Sequence, residues 1–368
     1  MRIVVFTHSL ASCWNHGNAH FLRGTVSAVV ARGDDVVVYE PADGWSAANL
    51  CQEGGRPALR AYKSAYPTLS SRMYLLDTLD LDRALRGADV VLVHEWNDPR
   101  LVRKIGEHHA TQGGYTLLFH DTHHRSVTAP EEMSRYDLTH YDGVLAFGNV
   151  VRDLYLEKGW AKRAWTWHEA ADPRVFRPRP NAEKAGDLVW IGNWGDEERT
   201  EELHEFLLRP VKELGLKATV YGVRYPAHAL RALADAGIEY GGWLPNHRAP
   251  EVFSRHRVTV HVPRRPYVRA LPGIPTIRPF EAMACGIPLI SAPWNDAEGL
   301  FRDGDFKFVR NGEEMKSALK WVLERPDEAA EMTARGRETV LARHTCAHRV
   351  EELDAVLKEL RAPRAVML

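Results

Sequence analysis

Leu271-Pro-Gly-Ile-Pro-Thr-Ile-Arg-Pro-Phe-Glu-Ala-Met-Ala-Cys-Gly-Ile-Pro-Leu-Ile-Ser-Ala-Pro293 reads as a loop, a short helix, a glycine stop and a buried strand. Pro279 suits the first turn of a helix, where its missing N–H is no loss. By this reading Glu281 falls in the same turn. Gly286 suits the left-handed residue just past a helix end. Residues 287–290 are apolar enough for a core strand. The preceding loop is rich in glycine and proline, so its backbone can approach a ligand closely. The helix start adds unpaired N–H groups and a positive dipole end. A diphosphate fits such a place. Glu281 can accept two hydrogen bonds from a ribose diol, or it can simply complement the helix dipole.

The same alternation of strand and helix runs outward on both sides. Toward the N-terminus, residues 2–7 form an apolar strand, Phe21, Leu22, Val26, Val29 and Val30 recur at helical spacing, and 35–39 form a second strand. Further buried strands are expected at 88–94, 115–119 and 142–147. After the proline- and charge-rich stretch around 168–187 the pattern restarts, with strands at 188–191, 217–221, 257–262 and 306–309. Three charged helices close the chain. Residues 41–71 are polar and loop-like and resist assignment. The fold class is therefore α/β, with two Rossmann-like parallel-sheet domains facing across a cleft. The expected division is 1–169 and 170–346. Ligands belong at the carboxyl ends of the strands, between the domains.

Composition narrows the function. The chain has 368 residues, comfortable for two domains. Its 48 basic and 49 acidic residues leave a net charge of −1, which favours no nucleic-acid partner. No apolar run approaches the roughly 20 residues that span a bilayer, so no integral membrane segment is expected. The first residues lead into a His/Asn/Gly loop and do not resemble a signal peptide. The four cysteines show no paired spacing and suit free thiols in the cytoplasm. The first β-to-α turn lacks G-x-G-x-x-G, so no dinucleotide cofactor is supported, and no cofactor is expected.

Residues 279–291, Pro-Phe-Glu-Ala-Met-Ala-Cys-Gly-Ile-Pro-Leu-Ile-Ser, resemble the nucleotide-sugar segment of GT-B glycosyltransferases, near glycosyltransferase family 4 and the CgeB-like group. Asp172-Pro-Arg-Val-Phe-Arg-Pro178 is similar to the segment that opens the second domain of those enzymes. The resemblance implies transfer of a sugar from a nucleotide-sugar donor, UDP-linked by default, to a small-molecule, glycan or protein acceptor, without a metal. It implies that Glu281 holds the ribose, and that the last helix, 347–361, packs back onto the first domain. Family 4 has a second glutamate where this chain has Gly273. Rival readings are a nucleotide-sugar epimerase of the same layout and a non-catalytic nucleotide-sugar-binding descendant.

The candidate residues follow from placement. Gly192 and Asn193 end the second domain's first strand, where backbone N–H groups can meet phosphate. Arg278 is the first candidate for the diphosphate, since guanidinium forks match its oxygens, with Arg264, Arg265 and Arg269 as alternates and Arg224 nearest the position related enzymes use. Trp243 and Leu244 stand where related enzymes read the base, and Trp243 can stack on it or pack in the core. Thr276 and Ile277 complete the donor-binding set. In the first domain, His120 and Asp121 close a strand and are expected to point into the cleft; in retaining relatives a histidine at this place contacts the transferred sugar. His16 lies in the first β-to-α loop, where inverting relatives place a general base, with His20 and His8 as close rivals. His120 and His16 imply opposite stereochemical outcomes, and the Glu281 segment leans to retention. His120, His123 and His124 fit no zinc spacing. The pairs Asp80/Asp82 and Asp303/Asp305 read as surface, so no metal site is expected.

Overall fold

Apolar runs that are buried on both faces favour parallel strands joined by helices, and both halves of the chain consist of such runs. The structure, a computed structural model, describes residues 1–14 and 17–362, apart from the side chain of Asn18. The first sheet contains β1 (Arg2–Phe6), β2 (Asp35–Pro41), β3 (Ser71–Tyr74), β4 (Val90–His94), β5 (Thr116–Asp121), β6 (Gly143–Ala146) and β7 (Ala164–Thr166). Its spatial order is β3-β2-β1-β4-β5-β6-β7. The second contains β8 (Gly186–Ile191), β9 (Ala218–Tyr221), β10 (Ile238–Tyr240), β11 (His256–His261), β12 (Leu289–Ser291) and β13 (Lys307–Phe308), in the order β10-β9-β8-β11-β12-β13. The strand pairs of both sheets are parallel, as the sequence predicts.

Each sheet reverses its winding beside its first strand, between β1 and β4 and again between β8 and β11. The loops leaving these strands diverge to opposite faces and open a crevice at the strand ends. Two such crevices face one another here.

The chain crosses between the sheets twice, and the crossings pair. Ala171, on the outward path, forms a parallel bridge with Thr345 on the return. Cys346 N–H donates to Ala171 O at 2.9 Å. Thr345 then caps the helix Cys346–Arg361, which packs on the first-sheet helix Asn18–Ala31. Gly24 makes that approach possible, because a Cβ there would lie 2.4 Å from Cys346 Sγ. The Trp167 indole N–H donates to Arg349 O at 2.7 Å and fixes the same helix against the first sheet.

Two local readings need correction. Residues 41–71 are not loop: they form the helices Trp45–Glu53 and Gly55–Ala65, followed by β3. Few of their helical side chains are buried, only Ser46 and Leu50 in the first helix and Tyr62 in the second. The pivotal helix runs Ile277–Cys285, two residues earlier than Pro279 suggests. Pro279 is its third residue, where the N–H is still unneeded. Glu281 therefore lies in the second turn. Gly286 is left-handed at φ 69°, as read from the sequence.

Candidate functional site

The loops at the strand ends enclose a cleft of about 600 Å³ lined from both sheets. On the second-sheet side, Gly192 and Asn193 follow β8, Arg224 follows β9, and Trp243 and Leu244 follow β10. Thr276, Ile277 and Arg278 bring the start of the Ile277–Cys285 helix to the same cavity. Eight of the nine donor-side residues read from the sequence thus share one cavity; Glu281 does not line it.

Backbone geometry is unusual along this wall. Thr276 sits at φ 63°, Arg224 at φ 59°, Asp196 at φ 49° and Glu197 at φ 67°, all left-handed without being glycine. Such residues cost of order 1–3 kcal/mol each and cluster where a ligand loop needs a fixed shape. Gly222 is required for another reason: a Cβ there would lie 2.1 Å from Gly192 O. The two strand-end loops touch backbone to backbone. Gly192 N–H already donates to Tyr221 O at 2.8 Å, so that amide belongs to the sheet and not to a phosphate.

Positive charge converges on the wall. Arg264 pairs with Glu198 at 3.0 Å, and exposed Arg224 with Asp196 at 3.3 Å. Arg199, which sequence reasoning missed, has carbonyl partners instead: Val262 O at 2.9 Å and Asn193 O at 2.5 Å. Its guanidinium lies 4.9 Å over the Trp190 ring. Burial and the neighbouring Arg264 press its pKa down to about 9. An anion beside it would relieve that pressure. The only local signal was its position ahead of the helix Thr200–Leu203.

Glu281 is fully buried behind the wall. Its Oε1 accepts from His20 Nδ1 at 2.8 Å and Asn246 Nδ2 at 2.9 Å, and Oε2 accepts from Arg278. The expectation that Glu281 faces the ligand is corrected here: its oxygens are occupied, and it meets the cleft only through Arg278 and Asn246, which line it. Gly273 is also explained. Its φ is +86°, and a Cβ would lie 2.4 Å from Glu298 Cγ. Glu298 fills the space, bonded to Asn149 N at 2.8 Å and His168 Nε2 at 3.0 Å. An acid at position 273 would be strained and would have to displace Glu298.

The first-sheet wall differs from the sequence reading. His120 is 3 % exposed and packs against Phe21, Trp167 and His94. Period-2 alternation puts it on the inner face with Leu118. Burial drives its pKa to about 3, so it is neutral. Asp121 is fully buried, accepting from Tyr155 Oη at 2.9 Å and His123 N at 3.0 Å. Burial and the nearby Glu95 raise its pKa well above the usual carboxylate range. Neither residue lines the cleft. Thr122, His123 and His124, just beyond the strand, do. His16 lies outside the described residues. Trp14, Trp45 and Trp96 complete this wall, with Trp14 set edge-on to Trp45 at 6.2 Å and Arg125 lying 3.9 Å over Trp96. Glu169, from the crossing segment, also reaches the cavity.

Among the described residues, no three His, Cys, Asp or Glu side chains are grouped to hold a metal ion. Asp80 caps the helix Leu81–Leu85 at the surface, whereas Asp305 is buried and accepts from Arg302 N at 2.8 Å, which corrects its surface reading. No described helix is long and apolar enough to cross a membrane.

Residues 199–355 match a sequence-family model described as glycosyl transferase-like, the part of the chain that carries most of the second-sheet wall. No characterised protein sequence matches the chain. Solved structures similar to it over nearly the whole length include sucrose-phosphate synthase from Thermosynechococcus elongatus, at 15 % identity, TM-score 0.65 and 98 % coverage of both chains. Anabaena Alr3699/HepE in complex with UDP and glucose matches at 13 % identity and TM-score 0.65, covering 98 % of this chain and 100 % of that one. T4 phage BGT in complex with UDP-glucose matches at 12 % identity and TM-score 0.62, with the same coverage. The chain has the two-domain GT-B fold.

Proposed function

We propose that this chain is a glycosyltransferase that moves a sugar from a nucleoside diphosphate donor, UDP-linked by default, to an acceptor held on the first-sheet wall. The observation that carries the reading is Arg199, a half-buried guanidinium whose hydrogen bonds go to carbonyls, set beside Arg264 and Arg278 at the second sheet's switch point. A diphosphate is the ligand chemistry that satisfies this cluster, and the helix start at Thr276 adds its dipole. The arginines supply the charge that stabilises the leaving diphosphate, so the reading requires no metal. UDP in the structures of similar fold supports the donor class.

Glu281 keeps a place in the donor site through Arg278. When Arg278 turns to a phosphate, Oε2 is released and can take a ribose hydroxyl. Trp243 and Leu244 meet the base. Three tryptophans opposite offer flat apolar faces to the acceptor. The transfer is read as retaining, on the likeness of the Glu281 segment; the anomeric configuration of the first product by NMR decides it, and inversion would remove that reading. Four free cysteines suit a reducing compartment such as the cytoplasm.

A thermal-shift panel with UDP, GDP, dTDP, ADP and their sugar conjugates tests the donor assignment. A ligand at 100 times its Kd stabilises the native state by about 2.7 kcal/mol, a readily seen shift. One nucleoside diphosphate and its conjugates should stand out. No shift with any of them would sink the reading.

A further inference from the structure

Glu169 lines the cleft with Oε1 buried and without a hydrogen-bond partner among the described residues. The residue is 5 % exposed and stands on the crossing segment between β7 and β8. An unpaired buried carboxyl costs free energy. Among the described residues Oε1 gains no bond in return. Its neighbours are Arg278 and Glu281 from the Ile277–Cys285 helix, Tyr267 from the helix Arg265–Ala270, and Glu95 after β4.

Those groups fix its form. Burial has the largest effect and raises the carboxyl pKa, Glu281 and Glu95 raise it further, and Arg278 opposes them. The result is a pKa of about 8, so the group is a neutral acid at pH 7. Tyr267, itself pushed upward by burial and by Glu169, stays a neutral phenol. A diphosphate arriving nearby would disfavour the Glu169 anion still more.

A neutral carboxyl both donates and accepts hydrogen bonds, as a sugar hydroxyl does. Phosphate oxygens need donors, and the arginines already supply those. The backbone at Gly273 and the Glu298 side chain disfavour an acid there. We propose that Glu169 contacts the transferred sugar of the donor, its carboxyl exchanging hydrogen bonds with a sugar hydroxyl. The assignment rests on the donor reading above.

The test is calorimetric titration of the full chain with UDP and with UDP-glucose, at pH 7 and pH 9.5, for wild type, Glu169→Gln and Glu169→Ala. The quantity read is the ratio of the two affinities, which isolates the sugar. Wild type should bind UDP-glucose about five- to tenfold more tightly than UDP at pH 7, the worth of one or two hydrogen bonds. That ratio should decrease by pH 9.5, because the carboxyl loses its donor proton as pH rises through about 8 in the free protein and somewhat higher beside a diphosphate, and the carboxylate left can only accept. Glu169→Gln, which keeps a donor and an acceptor, should hold the ratio at both pH values. Glu169→Ala should have a ratio near one throughout, with UDP binding unchanged. Normal UDP binding with the full ratio retained in Glu169→Ala overturns the assignment alone, as does a ratio of one in wild type at pH 7. Failure of all three proteins to bind either ligand overturns the UDP-donor reading and this assignment together.

Discussion

Arg199→Met is expected to weaken donor binding about 100-fold while the protein still folds. Methionine keeps an apolar side chain against Trp190, where the guanidinium now lies at 4.9 Å. What it removes is the positive charge between Arg264 and Arg278. That charge is held at a disadvantage where it sits, since burial and the like charges nearby press its pKa down to about 9, from a usual 12.5. The like charges disfavour one another, and an anion among them reverses the sign. Two charge-assisted bonds to a diphosphate are worth about 1.5–3 kcal/mol each before the loss of the carbonyl bonds is counted. A net loss of about 2.7 kcal/mol corresponds to the expected 100-fold. Titration with the nucleotide found in the panel measures it. An affinity within about threefold of wild type would remove Arg199 from the diphosphate site.

Arg199 also marks where sequence reading runs out. The stretch around Gly286 was legible because its signals are local: a glycine at a helix end and an apolar run behind it. The structure places the helix, the left-handed cap and β12 there. The helix start was misjudged because Thr276 adopts a left-handed φ that nothing in its side chain announces. Arg199 and Glu169 become site residues only through neighbours far along the chain. Arg199 meets Val262, 63 residues on, and Glu169 meets Arg278 after more than 100 residues. Neither sits in a pattern that periodicity or capping reveals.

His120 failed for a related reason. Its position at the end of β5 was right, and the strand-end rule pointed to the cleft. Alternation decides the face, however, and it turns His120 inward with Leu118. The cleft is instead reached by the residues just beyond the strand, where the backbone leaves the sheet. The tryptophan wall was hidden likewise. Trp45 begins a helix with little buried surface, so the segment offered almost no amphipathic signal.

Glu281→Ala is expected to cost about 3–5 kcal/mol of stability, the cost of breaking a buried charged pair from one side. The carboxylate is fully buried and joins three partners on different segments. His20 Nε2 accepts from Asp172 N–H at 2.8 Å, so in the neutral ring the proton sits on Nδ1 and is donated to Glu281. The ring is stacked on Phe176 at 3.7 Å and cannot easily turn away. Asn246 supplies the second bond to Oε1, and Arg278 holds Oε2. Alanine leaves two donors and one guanidinium without an acceptor. Burial by itself would raise the Glu281 pKa, but Arg278, His20 and Asn246 outweigh it and hold the carboxyl below its usual 4.5. A folded-state pKa below the unfolded one stabilises fully above about pH 4.5, and the contribution is lost as pH falls through the folded value. Urea unfolding followed by tryptophan fluorescence at pH 7 and pH 4 reads both effects. The wild type should lose part of the Glu281 contribution at the lower pH, and Glu281→Gln should lack that component. A cost below about 1 kcal/mol for Glu281→Ala at pH 7 would mean that the carboxylate is not what ties the first-sheet helix to the donor wall. Its partners span both domains, so the expected cost falls on their association as well as on the donor site.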